Sequence, residues 1–371
     1  PNMKGEAVEL GIEALKAGVA ELVCAPVTAP GGRDLRLHET SVPKLAANAL
    51  RGLIIAPPGR KLVVVDLSNI EGVTAAWLAG EDWKLQAYRE VFADPSKPDL
   101  YRLAYGRSFG VDPMSISKAQ RQLGKIQELA LAYEGGVGAF VTFVLTYRMD
   151  LAAVAAAVLP VLAPEVYQRA LDMLNWRRKK PLTTYGLADD VYIACEALKL
   201  LWRDAHPAIS SYWKELAGAA IQAIGSPRRT VEARRLAFVQ NGAWLRMLLP
   251  SGRSVCYPSA CLREKKIKYI GVSPLSHRWG WQSTYGGKIF ENACQAVARD
   301  VLFASMPVVE EAGYDILLRV HDELICEAPD EPQFNAEALA QLVVANDNLH
   351  WAPDLPLAAA GFEAYRYRKD D

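Results

Sequence analysis

Arg319-Val-His-Asp-Glu-Leu-Ile-Cys-Glu327 sets two adjacent carboxylates, Asp322 and Glu323, between apolar runs. Burial in such a setting normally excludes charge, so the pair calls for a cation. Upstream, Leu62-Val-Val-Val-Asp66 ends another apolar strand on a carboxylate and runs into a helix-like segment. Asp66 and Asp322 are hard oxygen donors that a fold could bring to one pair of Mg²⁺ ions, with Glu323 beside them. In-line phosphoryl transfer uses such a pair: one metal activates the attacking oxygen and the other neutralises the leaving phosphate.

The surrounding chain can support a fold of that kind. Its 371 residues are 51% hydrophobic, enough for a large core and for two or three structural units. No run approaches the roughly 18 uninterrupted apolar residues of a membrane span, and the N-terminus has no basic region followed by an apolar core, so a cytoplasmic location is expected. The six cysteines (Cys24, Cys195, Cys256, Cys261, Cys294, Cys326) form no CxxC or paired Cys/His spacing, which predicts free thiols rather than zinc or disulfides. The formal net charge is zero, from 42 cations and 42 anions, and argues against an indiscriminate nucleic-acid binder. Cations nevertheless concentrate in mid-chain, at Trp176-Arg-Arg-Lys-Lys180, at Arg228-Arg229 with Arg234-Arg235, and at Arg263-Glu-Lys-Lys-Ile-Lys268. Taken singly, each reads as a solvated face before it reads as a phosphate track.

Periodicity gives a coarse map. Residues 5–24 read as an amphipathic helix and 28–40 as a loop; 53–59 read as a short strand and turn leading into the strand that ends at Asp66. From Ile70 to Gln240 nearly everything has helical spacing, broken at 94–98, 111–113, 160–164 and 180–181. Short strands are expected at 244–249, 254–257 and 267–272, a helix at 285–305, and a hairpin of 316–320 with 324–327 carrying the acidic pair at its turn. The architecture is α+β: a sheet split around a long helical insertion, with Asp66 and Asp322 reaching it from opposite ends of the chain.

Ser117-Lys-Ala-Gln120 fits a capping box, so a helix should start near Lys118. Arg121, Lys125, Leu129 and Tyr133 then recur at four-residue intervals on one slowly winding face. This order suits a nucleotide, with cations for the phosphates, an apolar contact for the sugar and a ring for the base. On its own the helix reads as an ordinary amphipathic one with two exposed cations before it reads as a nucleotide site.

Arg121-x3-Lys125-x3-Leu129-x3-Tyr133 resembles the fingers-helix motif of the family A DNA polymerases, the group of the bacterial repair polymerase and many phage replicases. Asp66-Leu-Ser-Asn-Ile-Glu71 resembles the first palm motif of that family and His321-Asp-Glu323 the last. Asp99-Leu-Tyr101 and Gln295 extend the similarity, which runs from about Leu53 to the C-terminus and is phage-like in style. The implied fold is the right-hand polymerase fold, an antiparallel palm sheet split by a helical fingers insertion. Residues 1–48 would be a leader following the thumb position, 49–82 the first part of the palm, 83–240 the fingers and 241–371 the second part of the palm.

The resemblance implies that Asp66 and Asp322 bind two Mg²⁺ ions, or Mn²⁺ in their place, with the Leu67 carbonyl as a further ligand and Glu323 in support. Arg121 and Lys125 would grip the triphosphate, with Tyr101 and Leu129 alongside, and Tyr133 would pack at the base-insertion site. Glu71 would lie under the sugar, where a 2′-hydroxyl clashes. Gln295 would reach the minor groove, whose acceptors occur at every base pair, and His321 would approach the primer terminus. The implied partners are primer-template DNA, deoxynucleoside triphosphates, and an upstream thumb with or without an exonuclease region; the implied location is the host cytoplasm. Four positions differ from the usual family residue: Val73 for arginine, Leu129 for an aromatic, Tyr101 for histidine and Glu134 for glycine. A catalytically weak, DNA-binding remnant and a single-subunit RNA polymerase are the rival readings, and Glu71 speaks against the latter.

Overall fold

A computed structural model describes residues 27–28, 34–35, 50, 52–180, 182–274 and 276–368. The chain divides into two compact units, residues 1–68 with 301–350 and 358–371, and residues 69–300 with 351–357.

In the first unit the apolar run before Asp66 forms the strand Arg60–Leu67, an inner strand of a four-stranded antiparallel sheet. Glu323–Pro329 pairs with it on one side and Ala359–Ala364 on the other, while Asp315–Val320 pairs with the far side of Glu323–Pro329. Opposed residues share a face in such a ladder, so Leu62, Val64, Ile325 and Phe362 line one face together. Leu62, Val64, Ile325 and Tyr367 form its buried cluster, with Ile54, Ala56 and Val320 packed against them. Val63, Val65, Leu324 and Cys326, which point the other way, are equally buried. That double burial is why Leu62-Val-Val-Val reads as a continuous apolar run instead of alternating. Gly361 is required by close approach, since a Cβ there would lie 2.1 Å from the Val64 carbonyl oxygen. The helix Ala336–Val344 packs on this sheet, and its first amide donates to Glu363.

The second unit starts with helices whose ends follow local chemistry. Asp99 caps Leu100–Phe109, Ser117 closes a full capping box on Lys118–Leu131 and Asp150 caps Leu151–Val158. Pro164 and Pro207 open Pro164–Lys179 and Pro207–Gly225 at the first turn, where the missing N–H costs nothing. Trp77, Trp202, Tyr192, Tyr212, Phe140, Phe238 and Phe290 are its largest fully buried aromatic side chains. Among the described residues no single helix is long and apolar enough to cross a membrane; the apolar helices 137–146 and 151–161 meet at a 117° bend.

Several expectations need correction. The segment 53–59 contributes only an isolated bridge, Ile55 with Arg366, because Pro57, Pro58 and Gly59 cannot continue a ladder. Helical structure ends at Gly225 rather than near Gln240: Val231–Ala233 and Leu236–Asn241 are strands, and with Trp244–Leu248 and Ser254–Pro258 they make a separate four-stranded sheet. Cys261–Arg263, Lys266–Val272 and Trp279–Thr284 make a third sheet. The helix expected at 285–305 runs from Gly286 to Glu311 through Pro307. Within 28–40, the described pairs Val27–Thr28 and Asp34–Leu35 are bridged strands. The amphipathic helix expected at 5–24 lies outside the described residues. Cys195, Cys256, Cys261, Cys294 and Cys326 are free thiols.

Candidate active site

The acidic site of the first unit is built by strand register. Asp66 stands directly opposite Glu323, and the Leu67 amide donates to the Asp322 carbonyl at 3.1 Å. Asp322 occupies a two-residue turn with His321, between Val320 and Glu323. His321 takes the left-handed conformation there (φ 57°), which histidine tolerates better than bulky or β-branched residues. The ladder therefore brings Asp66, Leu67, Asp322 and Glu323 to one end of two neighbouring strands, with His321 exposed beside them. Glu323 is 6% exposed, and its Oε1 accepts from the Tyr367 hydroxyl. A cleft of about 320 Å³ opens here, lined by Val64, Asp66, Ser68, Glu323, Ala360 and Phe362 among others.

The donor set suits Mg²⁺: carboxylates and a main-chain carbonyl are hard oxygen ligands, while the thiol of Cys326 on the same strand is fully buried on the other face of the sheet. Among the described residues no three His, Cys, Asp or Glu side chains are grouped to hold an ion unaided.

The nucleotide ladder lies in the second unit. Arg121, Lys125 and Leu129 are on the helix Lys118–Leu131, whereas Tyr133 falls two residues beyond its end. Asp99 both caps the neighbouring helix and forms an ion pair with Arg121. The Arg121 guanidinium lies 5.3 Å from the Tyr101 ring centroid, and the Lys125 ammonium lies 6.0 Å from Tyr101 and 5.2 Å from Tyr147. The two cations are thus held against aromatic faces at roughly cation–π range. Tyr147 was not singled out by sequence, because its partner comes from a different helix. Leu129 is 41% exposed.

Tyr133 packs edge-on against Phe290, which lies on Gly286–Glu311. Burial, with the Cys294 thiol and the Glu71 and Glu291 carboxylates nearby, pushes its phenol well above the ordinary value and keeps it neutral. Glu71, exposed in the first turn of Ile70–Ala79, and Tyr133 therefore share one neighbourhood, although 62 positions separate them. Thr74 on the same helix donates to the Cys294 carbonyl at 3.4 Å. Glu134 adopts a left-handed φ of 64°, and its Oε2 accepts from the Gly287 amide at 2.8 Å, fixing the turn after Tyr133 to the start of the long helix. The approach is tight: a Cβ on Gly287 would lie 2.3 Å from both the Tyr133 oxygen and the Glu134 Cβ. Gln295 is exposed on that helix, and Val73 is fully buried on Ile70–Ala79.

No family model matches the chain. It is 32% identical over 337 residues to a DNA polymerase of Bacillus phage SP02, a match that takes in 89% of this chain and 44% of that protein. The chain thus spans less than half the length of the curated relative it matches. A solved structure, the POL domain of Pol1 from M. smegmatis in complex with DNA primer-template and dNTP, aligns with a TM-score of 0.46 at 15% identity, covering 85% of this chain and 42% of that one. Along 89% of its length the chain is thus similar to a phage DNA polymerase, and its three motifs resemble those of the family A enzymes in kind and order.

Proposed function

We propose that the chain is the palm and fingers portion of a template-directed DNA polymerase, which joins a deoxynucleotide to a primer 3′-hydroxyl and releases pyrophosphate. The observation that carries this reading is the register of Asp66 against Glu323 with Leu67 bonded to Asp322, which joins carboxylates from distant segments at one strand end. Asp66, Asp322 and the Leu67 carbonyl are the groups to hold two divalent ions, Mg²⁺ or Mn²⁺. When bound, these would activate the 3′-oxygen and neutralise charge on the departing pyrophosphate. Glu323, fixed by Tyr367, keeps the strand end in place. Arg121 and Lys125 take the triphosphate by charge; Tyr101 and Tyr147 orient these cations. Tyr133 offers its ring to the base, Leu129 an apolar contact and Glu71 a steric limit beneath the sugar. Gln295 reads minor-groove acceptors, and His321 stands at the primer end. In domain terms, residues 49–82 and 241–371 would serve as palm and 83–240 as fingers, working in the cytoplasm of a host cell with an upstream thumb region.

Primer extension with deoxynucleotides and then ribonucleotides separates the rivals. Asp66→Asn and Asp322→Asn should each lower extension by about a thousand-fold or more, as expected when several kcal/mol of charge stabilisation are lost, while primer-template binding in a gel-shift assay stays within a few fold. Normal extension by either variant would remove the two-metal reading. Extension that is absent in the unaltered chain despite tight binding would favour the DNA-binding remnant.

A further inference from the structure

The third sheet exposes a face that the proposed chemistry does not use. Trp279 stands opposite Val272, Trp281 opposite Ile270, and Lys266 opposite Arg263, so these side chains share one surface. The reverse surface points into the protein: Ile267 is buried there and the Tyr269 ring meets Tyr257 edge-on. The open surface is aromatic and cationic. Trp279 is 66% exposed, Trp281 45% and Val272 57%, and the Arg263 guanidinium lies 4.1 Å over the Trp281 ring.

The geometry points to this face as a binding platform for a single-stranded polynucleotide, with bases stacking on Trp279 and on the Arg263–Trp281 pair and phosphates drawn to Arg263, Lys266 and Lys268. Trp279 and Trp281 are two residues apart on one strand, so their rings repeat at about 6.8 Å, twice the strand rise. A stacked strand advances about 3.4 Å per nucleotide, so alternate bases, or neighbouring bases of a strand drawn out, each meet a plane. Indole rings and guanidinium planes both serve as base-stacking surfaces without regard to sequence.

Charge decides between this occupant and an apolar protein surface. Residues 261–284 hold five cations (Arg263, Lys265, Lys266, Lys268, Arg278) and one acid (Glu264), a local excess of 5 − 1 = +4 in a chain of zero net charge. Glu264 pairs with Lys268 at 3.5 Å. A phosphate backbone gains from that excess, whereas a neutral apolar partner would leave it uncompensated.

The test is fluorescence anisotropy of a labelled oligothymidine with the full chain, without nucleotide or metal, so the result stands whether or not the chain extends a primer. Trp279→Ala with Trp281→Ala should weaken binding by about a hundred-fold, roughly ten-fold per ring. Trp279→Phe with Trp281→Phe should restore most of it, and a blunt duplex of equal length should bind all three proteins alike. Lys266→Ala should lower the salt slope for oligothymidine by about 0.7. No binding by the unaltered chain, affinity unchanged by the alanines, or a loss shared equally by the duplex would each overturn the assignment. So would sedimentation showing that the unaltered chain self-associates through this face and the alanine variant does not.

Discussion

Glu71 begins Ile70–Ala79 with its carboxylate exposed and within electrostatic reach of Tyr133. If this pair bounds the sugar and base, shortening Glu71 opens space for a 2′-hydroxyl without touching the phosphate grip. Glu71→Ala should therefore raise ribonucleotide incorporation relative to deoxynucleotide by about ten-fold or more, since excluding one small group is worth about 1–3 kcal/mol. A single-turnover comparison of the two nucleotide types checks it, and an unchanged ratio would discard the steric role. Lys125 differs in kind, being a point charge braced between Tyr101 and Tyr147. Lys125→Ala should raise KM for the nucleotide by about ten-fold, the loss of roughly 1.4 kcal/mol, while primer-template affinity moves little. An effect confined to DNA affinity would make the helix a duplex-binding surface instead.

At the scale of elements, the helix that carries Arg121 and Lys125 is pinned by a buried charged cluster centred on Glu128, one turn beyond Lys125. Glu128 forms an ion pair with Lys84, accepts the Trp202 indole N–H at 2.9 Å and meets His206 Nε2 at 3.1 Å. His206 is fully buried; Nδ1 donates to the Trp202 carbonyl at 2.8 Å, and the ring lies between Trp83 and Trp202. Burial raises the Glu128 carboxyl, but Lys84 and His206 outweigh it and hold the group well below the carboxylate range. Burial, then Lys84, lower the His206 imidazole below its ordinary value of 6.5 against the pull of Glu128, so the ring is neutral in the fold. Both folded values are depressed, so both groups contribute stability that is present at neutral pH and is lost on acidification. His206 acts first, as pH falls below about 6.5, and Glu128 follows as pH falls below about 4.5. Thermal melts of the unaltered chain should fall between pH 7 and pH 5, and His206→Gln should flatten that decline. Lys84→Met, which strands a buried carboxylate, should cost about 3–5 kcal/mol at pH 7. None of this cluster was legible in the sequence, since Lys84 and Glu128 lie on separate helices, His206 joins two others, and no spacing links them. The capping box at Ser117 and the turn at His321-Asp322 were legible because their chemistry is local. The ladder of Arg121, Lys125 and Leu129 was also legible, but extending it to Tyr133 overran the helix, whose end is set by Glu134 reaching across to Gly287.

At the scale of the molecule, the acidic site depends on strands drawn from three stretches of the chain, 60–67, 315–329 and 359–364. Sequence reading found the first two through their apolar runs and carboxylates. The third was missed, because Ala359-Ala-Gly-Phe-Glu-Ala364 has little β-branched character and owes its place to Gly361 fitting against Val64. Yet this last strand closes the open side of Arg60–Leu67, and Tyr367 beyond it both fills the core cluster and holds Glu323. Deleting residues 358–371 would expose the amides and carbonyls of the Asp66 strand along one whole edge and leave the buried Glu323 carboxyl without its hydroxyl donor. Hydrogen exchange should show Arg60–Leu67 among the best-protected segments of the intact first unit, and in the deletion variant that protection should fall by about a hundred-fold or more. Tyr367→Phe isolates the hydroxyl from the strand: it keeps the packing and should cost only about 2 kcal/mol, with protection of the ladder largely retained. If the deletion leaves exchange at Val63, Val64 and Val65 unchanged, the sheet is secured by the 315–329 hairpin alone and the C-terminal strand is an accessory to it.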